Sequence, residues 1–125
     1  MTNDATRVRP FSAGVRRASG SAIVDLHGEI DSFADAALTA AYSEAAGDVT
    51  SGKVTRILLN FADVDYINST GIALIVGVLA QARQAGVPLG AFGLSDHYRE
   101  IFEITRLSDF ITLYGDERSA LLPAA

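Results

Sequence analysis

The residues Asn68, Ser69 and Thr70 place two hydroxyl groups directly before the most apolar stretch of the chain, residues 71–80. A serine or threonine at the start of a helix accepts a hydrogen bond from a free backbone N–H, so one interpretation is a helix cap. The free N–H groups at a helix start also carry about half a positive charge together. A phosphoryl group on the first serine, which adds about −1.5 to −2 charges, would therefore be compatible with the helix. The pattern therefore predicts a capped helix whose first serine is a candidate phosphate acceptor.

The remaining polar residues do not form a catalytic or metal-binding pattern. The chain has no cysteine, and its two histidines, His27 and His97, are not spaced as a ligand pair. Asp63 and Asp65 resemble half of a calcium loop, but the glycine and glutamate of such a loop do not follow, so we interpret both as solvating a turn. Nucleophile-elbow, P-loop and dinucleotide motifs are missing from the sequence. We therefore expect no metal, no cofactor and no enzymatic activity, and we assign both histidines to contacts with solvent or a partner.

The composition limits the size and the partners of the protein. A chain of 125 residues predicts one domain, and we expect it to span residues 8–122, with a disordered lead-in over 1–7 and a tail over 123–125. Ten basic and fifteen acidic side chains give a net charge of −5, which argues against nucleic acid as a partner. The longest apolar stretch is about half of a membrane span, and the N-terminus lacks the apolar core of a signal peptide. The expected location is the cytoplasm, without membrane insertion.

Apolar patterning predicts strands and helices in the order β-β-α-β-α-β-α-β-α. Strands that alternate with helices indicate an α/β fold with a mostly parallel sheet of four to five strands and about four helices. The opening hairpin, which turns at residues 19–21, adds an antiparallel strand. The predicted strands are 15–18, 22–27 (ended by residues 28–31), 54–61, 87–94 and 110–114, and the predicted helices are 33–46, 69–85, 96–106 and 116–122.

The sequence also predicts how these helices begin and end. Ser32 and Asp35 would form a capping box for the first helix, whose apolar face would contain Phe33, Ala37, Leu38, Ala41, Tyr42 and Ala45. Gly47 would end that helix, with residues 48–53 forming a loop, and residues 62–68 would form a second loop before the apolar helix. Ser95 and Asp116 would cap the last two helices. The inner side of the third helix would carry Ile101, Ile104 and Leu107.

Three segments resemble the STAS domain, the fold of the bacterial anti-sigma factor antagonists. Residues 28–31, Gly-Glu-Ile-Asp, are similar to the Gly-Glu-Leu-Asp that closes the second strand in that family. Residues 57–71 resemble its central strand followed by the phosphorylated Asp-Ser-[Ser/Thr]-Gly signature. Residues 86–114 resemble its closing strand-helix-strand unit. The resemblance covers residues 8–122 in the same order of elements.

The resemblance implies roles for individual residues. Ser69 falls on the phosphorylated serine, Thr70 on the second hydroxyl residue and so on a candidate second acceptor, and Gly71 on the glycine of the signature. Asn68 falls on the aspartate, and its amide can still cap a helix but lacks the charge. The resemblance implies that the following residues contact the partner: Asp31, Asp63, Asp65, Tyr66, Asn68, Thr70 and Gly71.

The implied function is a partner switch. The unphosphorylated domain would bind an anti-sigma factor that is itself a serine kinase and so free a sigma factor. Phosphorylation of Ser69 would end this binding, and a PP2C-type phosphatase would reset the switch. The domain would be a monomer or weak dimer. Asn68 favours an alternative, in which the domain is a stressosome-like scaffold or a lipid-transporter accessory subunit without sigma control, and a small enzyme is suggested only by the α/β architecture.

Overall fold

The computed structural model describes residues 9–122 and has five strands in one sheet, in the order β1-β2-β3-β4-β5. Strand β1 is antiparallel to β2, and the other neighbouring pairs are parallel. The mixed sheet with an antiparallel N-terminal strand, as predicted, is therefore confirmed. The strands are β1 (Ser12–Ala18), β2 (Ser21–Ile30), β3 (Arg56–Ile67), β4 (Leu89–Phe92) and β5 (Thr112–Tyr114), and the helices are α1 (Asp35–Thr50), α2 (Ser69–Ala85), α3 (Asp96–Ile104) and α4 (Glu117–Leu121).

The two faces of the sheet are covered unequally. Each parallel strand from β3 to β5 is added at the same edge, and right-handed crossovers then place α1, α2 and α3 on one face. The main core lies there and includes Leu38 of α1, Ile75 of α2 and Phe102 of α3. Helix α4 packs on the opposite face, where Ala120 meets Ile23, Leu58 and Phe92. The predicted lead-in and tail lie outside the described residues.

Strand β3 is longer than the sequence predicts, and the loop predicted for residues 62–68 is wrong. The parallel ladder with β2 continues to the pair Ile30 and Ile67, with irregular register near Asp25 and Gly28. The Asn60 amide supports the irregularity, because its oxygen accepts a hydrogen bond from the Ala62 N–H at 2.9 Å. Most side chains in the second half of β3 are exposed. This half of the strand can therefore be polar, and its polar sequence is typical of a loop.

The start of α1 also differs from the prediction. Asp31, not Ser32, is the capping residue, because its carboxylate accepts a hydrogen bond from the Phe33 N–H at 2.9 Å. A 3₁₀ turn over Ser32–Ala34 precedes α1, which begins at Asp35. This extra turn moves Phe33 and Ala37 to the surface. The buried face of α1 consists of Leu38, Ala41, Tyr42 and Ala45.

Two helix ends differ from the predictions as well. Helix α1 continues past Gly47 to Thr50, because Val49 in its last turn packs against the core. Helix α3 ends at Ile104, two residues earlier than predicted, and Arg106 adopts a left-handed backbone conformation. Ile104 is 72% exposed and does not belong to the inner side, where Phe102 is fully buried.

Candidate functional site

The site lies where β3 ends and α2 begins. Asn68 has an extended backbone, and its side-chain oxygen accepts a hydrogen bond from the Gly71 N–H at 2.8 Å. The predicted helix start is confirmed, but the cap is Asn68 and neither of the hydroxyl residues that follow it. The amide therefore performs the backbone role expected of it and leaves the hydroxyl groups free for other contacts.

Ser69 and Thr70 are the first two residues of α2, and both are exposed. Neither hydroxyl forms a hydrogen bond with any residue between 9 and 122. The first turn of α2 contains no acidic residue, so the partial positive charge of its free N–H groups is not offset within that turn. The Ser69 oxygen is thus accessible at a helix end that favours an anion.

Gly71 explains how this helix end reaches the sheet. A Cβ on Gly71 would overlap the carbonyl oxygen of Ile30, the last residue of β2. The same oxygen accepts a hydrogen bond from the Asn68 N–H at 3.2 Å. The first turn of α2 therefore packs directly on the end of β2, which places the turn after Asp31 beside the start of α2. Gly71 itself is buried.

Two exposed aromatic side chains lie at the same end of the sheet. Phe33 follows the Asp31 cap and is 89% exposed, and Tyr66 near the end of β3 is 50% exposed. The resemblance included Tyr66, but helical spacing assigned Phe33 to the buried face of α1. The local signal that could have predicted the exposure of Phe33 is Asp31. Aspartate side chains commonly accept a hydrogen bond from the backbone N–H two residues later, and such a turn delays the start of the helix.

Tyr98 in α3 is a second residue that the sequence analysis missed. Its hydroxyl accepts a hydrogen bond from the Ile67 N–H at 2.9 Å, directly before Asn68. Its ring also packs edge-on against His97, with 4.9 Å between ring centroids. Tyr98 thus holds the end of β3 in place, and no pattern in the sequence indicates a contact between residues 31 positions apart.

Asp63 and Asp65 do not solvate a turn, because both lie on β3 and bind Arg9. Arg9 Nε is 2.8 Å from Asp65 Oδ2, and Arg9 Nη1 is 3.0 Å from Asp63 Oδ2. Asp63 also bonds His27 Nδ1 at 2.7 Å, so His27 has a contact within its own chain. The hydrogen bonds from Arg9 and then His27 lower the pKa of Asp63 to about 2. These carboxylates are therefore ion-paired and add less negative charge to the surface than the sequence suggests.

The segment that carries Arg9 is held against the Gly28 motif. The Arg9 carbonyl accepts a hydrogen bond from the Glu29 N–H at 3.1 Å. Gly28 has φ = +86°, and a Cβ there would overlap the carbonyl oxygen of Pro10. Only glycine suits both the backbone angle and this close crossing, so the motif glycine determines where Arg9 meets β3.

Comparison with known proteins identifies the family. The family model of the STAS domain matches residues 13–120. This chain belongs to the STAS domain family. The anti-sigma-B factor antagonist of Listeria monocytogenes is 38% identical to this STAS domain over 90 residues, which cover 72% of this chain and 75% of that protein. The resemblance drawn from the three motifs is confirmed.

Solved structures share the fold of this STAS domain. An anti-sigma factor antagonist from Mycobacterium paratuberculosis superposes with a TM-score of 0.70 at 20% identity, covering 90% of this chain and 92% of that chain. The phosphorylated form of the Bacillus cell fate determinant SpoIIAA gives a TM-score of 0.58 at 19% identity, covering 89% and 96% of the two chains. At these identities the likeness supports the fold alone.

Among residues 9–122, no three His, Asp or Glu side chains are grouped so that they could hold a metal ion. No helix in that part is long and apolar enough to cross a membrane.

Proposed function

We propose that this STAS domain is an antagonist of an anti-sigma factor and acts by binding, not by catalysis, in the cytoplasm. In its unphosphorylated form it binds an anti-sigma factor that is also a serine kinase, and a sigma factor is released. The kinase then transfers the γ-phosphoryl group of ATP to Ser69 Oγ, ADP leaves, and the affinity is lost. A PP2C-type phosphatase hydrolyses the phosphoserine and restores binding. The name of the Listeria relative, an anti-sigma-B factor antagonist, supports this proposal.

The observation that carries the proposal is the position of Ser69. Its hydroxyl is exposed on the first residue of α2 and is free of hydrogen bonds within residues 9–122, because Asn68 supplies the cap. A kinase can therefore reach the oxygen without unfolding the helix. Phosphoserine at a helix start is electrostatically favourable for the fold, so the modification changes the surface and leaves the structure intact.

The charge added by phosphorylation is large enough to act as a switch. A phosphoryl group contributes about −1.5 to −2 charges at a helix start where Asn68 is neutral and the first turn is free of acidic residues. Two unit charges 4 Å apart interact by about 4 kcal/mol at an effective dielectric constant of about 20. Each 1.4 kcal/mol changes the affinity about tenfold, so one acidic group of the partner near Ser69 is sufficient for release.

Phe33 and Tyr66 support a protein as the partner. Exposed aromatic side chains commonly supply the dominant contacts of protein interfaces, and Phe33 is held in a capped turn beside the start of α2. We propose that these two rings contact the anti-sigma factor, together with the polar residues Asp31 and Thr70. Asp63 and Asp65 would contribute at the edge of this surface through their ion pairs with Arg9.

The test uses purified protein and an anti-sigma factor kinase encoded by the same genome. Calorimetry should give at least tenfold weaker binding for Ser69→Asp than for the wild type, while Ser43→Asp, which adds the same charge at an exposed position on α1, should bind normally. Incubation with the kinase and ATP should place phosphate on Ser69, as located by mass spectrometry, and Thr70→Ala reports on the second acceptor. Label that persists in Ser69→Ala, or equal affinity of Ser69→Asp, contradicts the proposal.

A second variant tests the aromatic contact independently of charge. Phe33→Ala should weaken binding of the anti-sigma factor about thirtyfold or more, because truncating a hot-spot residue costs about 2 kcal/mol or more. Leu122→Ala is the matched control, because Leu122 is 62% exposed beside α4 on the other face of the sheet. Equal losses in both variants would argue against a specific contact of Phe33.

A further inference from the structure

An apolar groove lies between α2 and the 3₁₀ turn Leu107–Asp109, away from the Ser69 site. Its volume is about 330 Å³, and it is lined by Val76, Leu79, Ala80, Arg83, Leu107 and Phe110. Val76 is 42% exposed and Phe110 is 51% exposed, so two large apolar side chains of this groove face solvent. The groove residues of α2 lie seven to fourteen residues after Ser69, about 10 to 21 Å along the helix axis, so the groove does not include the proposed switch.

Arg83, the charged residue among those that line the groove, has no acidic partner in the described part of the chain, residues 9–122. The Arg83 guanidinium stacks over the Phe110 ring at 4.7 Å from its centroid and forms no ion pair with any residue between 9 and 122. The nearby Arg106 is different, because Asp109 binds it at 2.8 Å. A guanidinium over an aromatic face makes a cation–π contact that uses none of its five N–H donors, and a carboxylate can accept two of them.

The dimensions of the groove favour a small ligand over a protein. Ligand sites begin at about 300 Å³, whereas one side of a stable protein interface uses about 20 to 30 residues, many more than line this groove. A water molecule, which has one heavy atom, takes up about 30 Å³ in the liquid. On that scale the groove volume of about 330 Å³ corresponds to a ligand of about ten heavy atoms.

We propose that this groove binds a small amphiphilic carboxylate, with its apolar tail against Val76, Leu79 and Leu107 and its carboxylate on Arg83. Phe110 contributes to both parts, since its face holds the guanidinium and its exposed edge covers the tail. The apolar surface supplies most of the affinity, and Arg83 selects an anionic head group over a neutral one. The binding requires neither Ser69 nor an anti-sigma factor.

The test compares octanoate, which has ten heavy atoms, with octanol, which has a similar tail but no charge. In ¹H–¹⁵N NMR titrations we expect octanoate to shift the amides of residues 76–83 and 107–110 saturably, with a dissociation constant below about 1 mM, and to bind at least fivefold more tightly than octanol. Arg83→Gln should remove this preference, and Arg83→Lys should keep most of it. Phe110→Ala should weaken both ligands, and Arg118→Gln on α4 should change neither.

Several outcomes would overturn the proposal. Shifts that spread over the whole chain without saturation would show nonspecific binding of a surfactant only. Equal affinity for octanoate and octanol, or an octanoate preference that persists in Arg83→Gln, would remove Arg83 from the site. Shifts of the groove amides that depend on protein concentration and not on octanoate would assign the groove to a contact between two copies of the chain. Thermal melting of each variant confirms that it is folded before its binding is compared.

Discussion

Asn68 accepts a hydrogen bond from the Gly71 N–H at 2.8 Å, so the residue that departs from the family signature is the residue that caps α2. An asparagine and an aspartate make this bond equally well, and they differ in the charge placed beside the helix end. The departure therefore keeps the helix cap of the signature and leaves the first turn of α2 free of negative side chains.

Replacing Asn68 separates the two roles of this position. Asn68→Ala should lower the free energy of unfolding by about 1 kcal/mol, because the cap is lost. Asn68→Asp should retain the cap and raise stability by about 0.3 to 1 kcal/mol near pH 7, because a negative charge favours a helix start. Urea unfolding measures both changes. Ser69→Ala is the control and should lie within about 0.5 kcal/mol of the wild type, and a loss as large as that of Asn68→Ala would assign the cap to Ser69.

Two glycines of α2 should respond in opposite directions to the same substitution. Gly71→Ala should destabilise the fold by about 1 to 3 kcal/mol, because its Cβ would overlap the Ile30 carbonyl oxygen and force a shift of the backbone. A Cβ on Gly77 would meet no atom within 4 Å, so Gly77→Ala should stabilise the helix by about 0.5 to 1 kcal/mol. Thermal or urea unfolding of both variants decides the matter. Similar effects at the two positions would mean that α2 does not pack on β2 as described.

Removing one hydroxyl should loosen the end of β3. Tyr98→Phe leaves the Ile67 N–H without its partner, and a buried donor without a partner costs about 1 to 3 kcal/mol. Hydrogen exchange at the Ile67 amide should accelerate together with this loss. Tyr66→Phe is the matched control, because the Tyr66 hydroxyl makes no hydrogen bond within residues 9–122. Unchanged exchange at Ile67 in Tyr98→Phe would contradict the positioning role of Tyr98.

The carboxylate of Asp63 should titrate with a midpoint of about 2, because Arg9 and His27 bond its charged form. A folded-state pKa below the ordinary value of 3.8 means that the carboxylate stabilises the fold above about pH 4 and that this contribution disappears as the pH falls towards 2. Arg9→Gln should move the midpoint up towards the ordinary value. The ¹³C shift of the Asp63 carboxyl group measures the midpoint, and Arg118→Gln should leave it unchanged.

The sequence alone determined the features that depend on neighbouring residues. The bounds of α2 and the caps Ser95 and Asp116 agree with the structure, because helix starts and ends are controlled by side chains within about four residues. The position of Ser69 at the start of α2 likewise depends only on neighbouring residues. The parallel direction of β2 to β5 followed from the alternation of strands and helices, since a helix that crosses over the sheet joins parallel strands.

Tertiary structure decided the features that join distant parts of the chain. The second half of β3 is a strand because β2 pairs with it, although its polar sequence is typical of a loop. Asp63 is ion-paired with Arg9, a residue 54 positions away. The Tyr98 hydroxyl in α3 accepts a hydrogen bond from the Ile67 N–H. The groove at Arg83 exists because α2 and the turn after α3 are brought together. Hydrophobic periodicity specifies which face of an element is buried but not which partner covers it, so these contacts follow only from the packed fold.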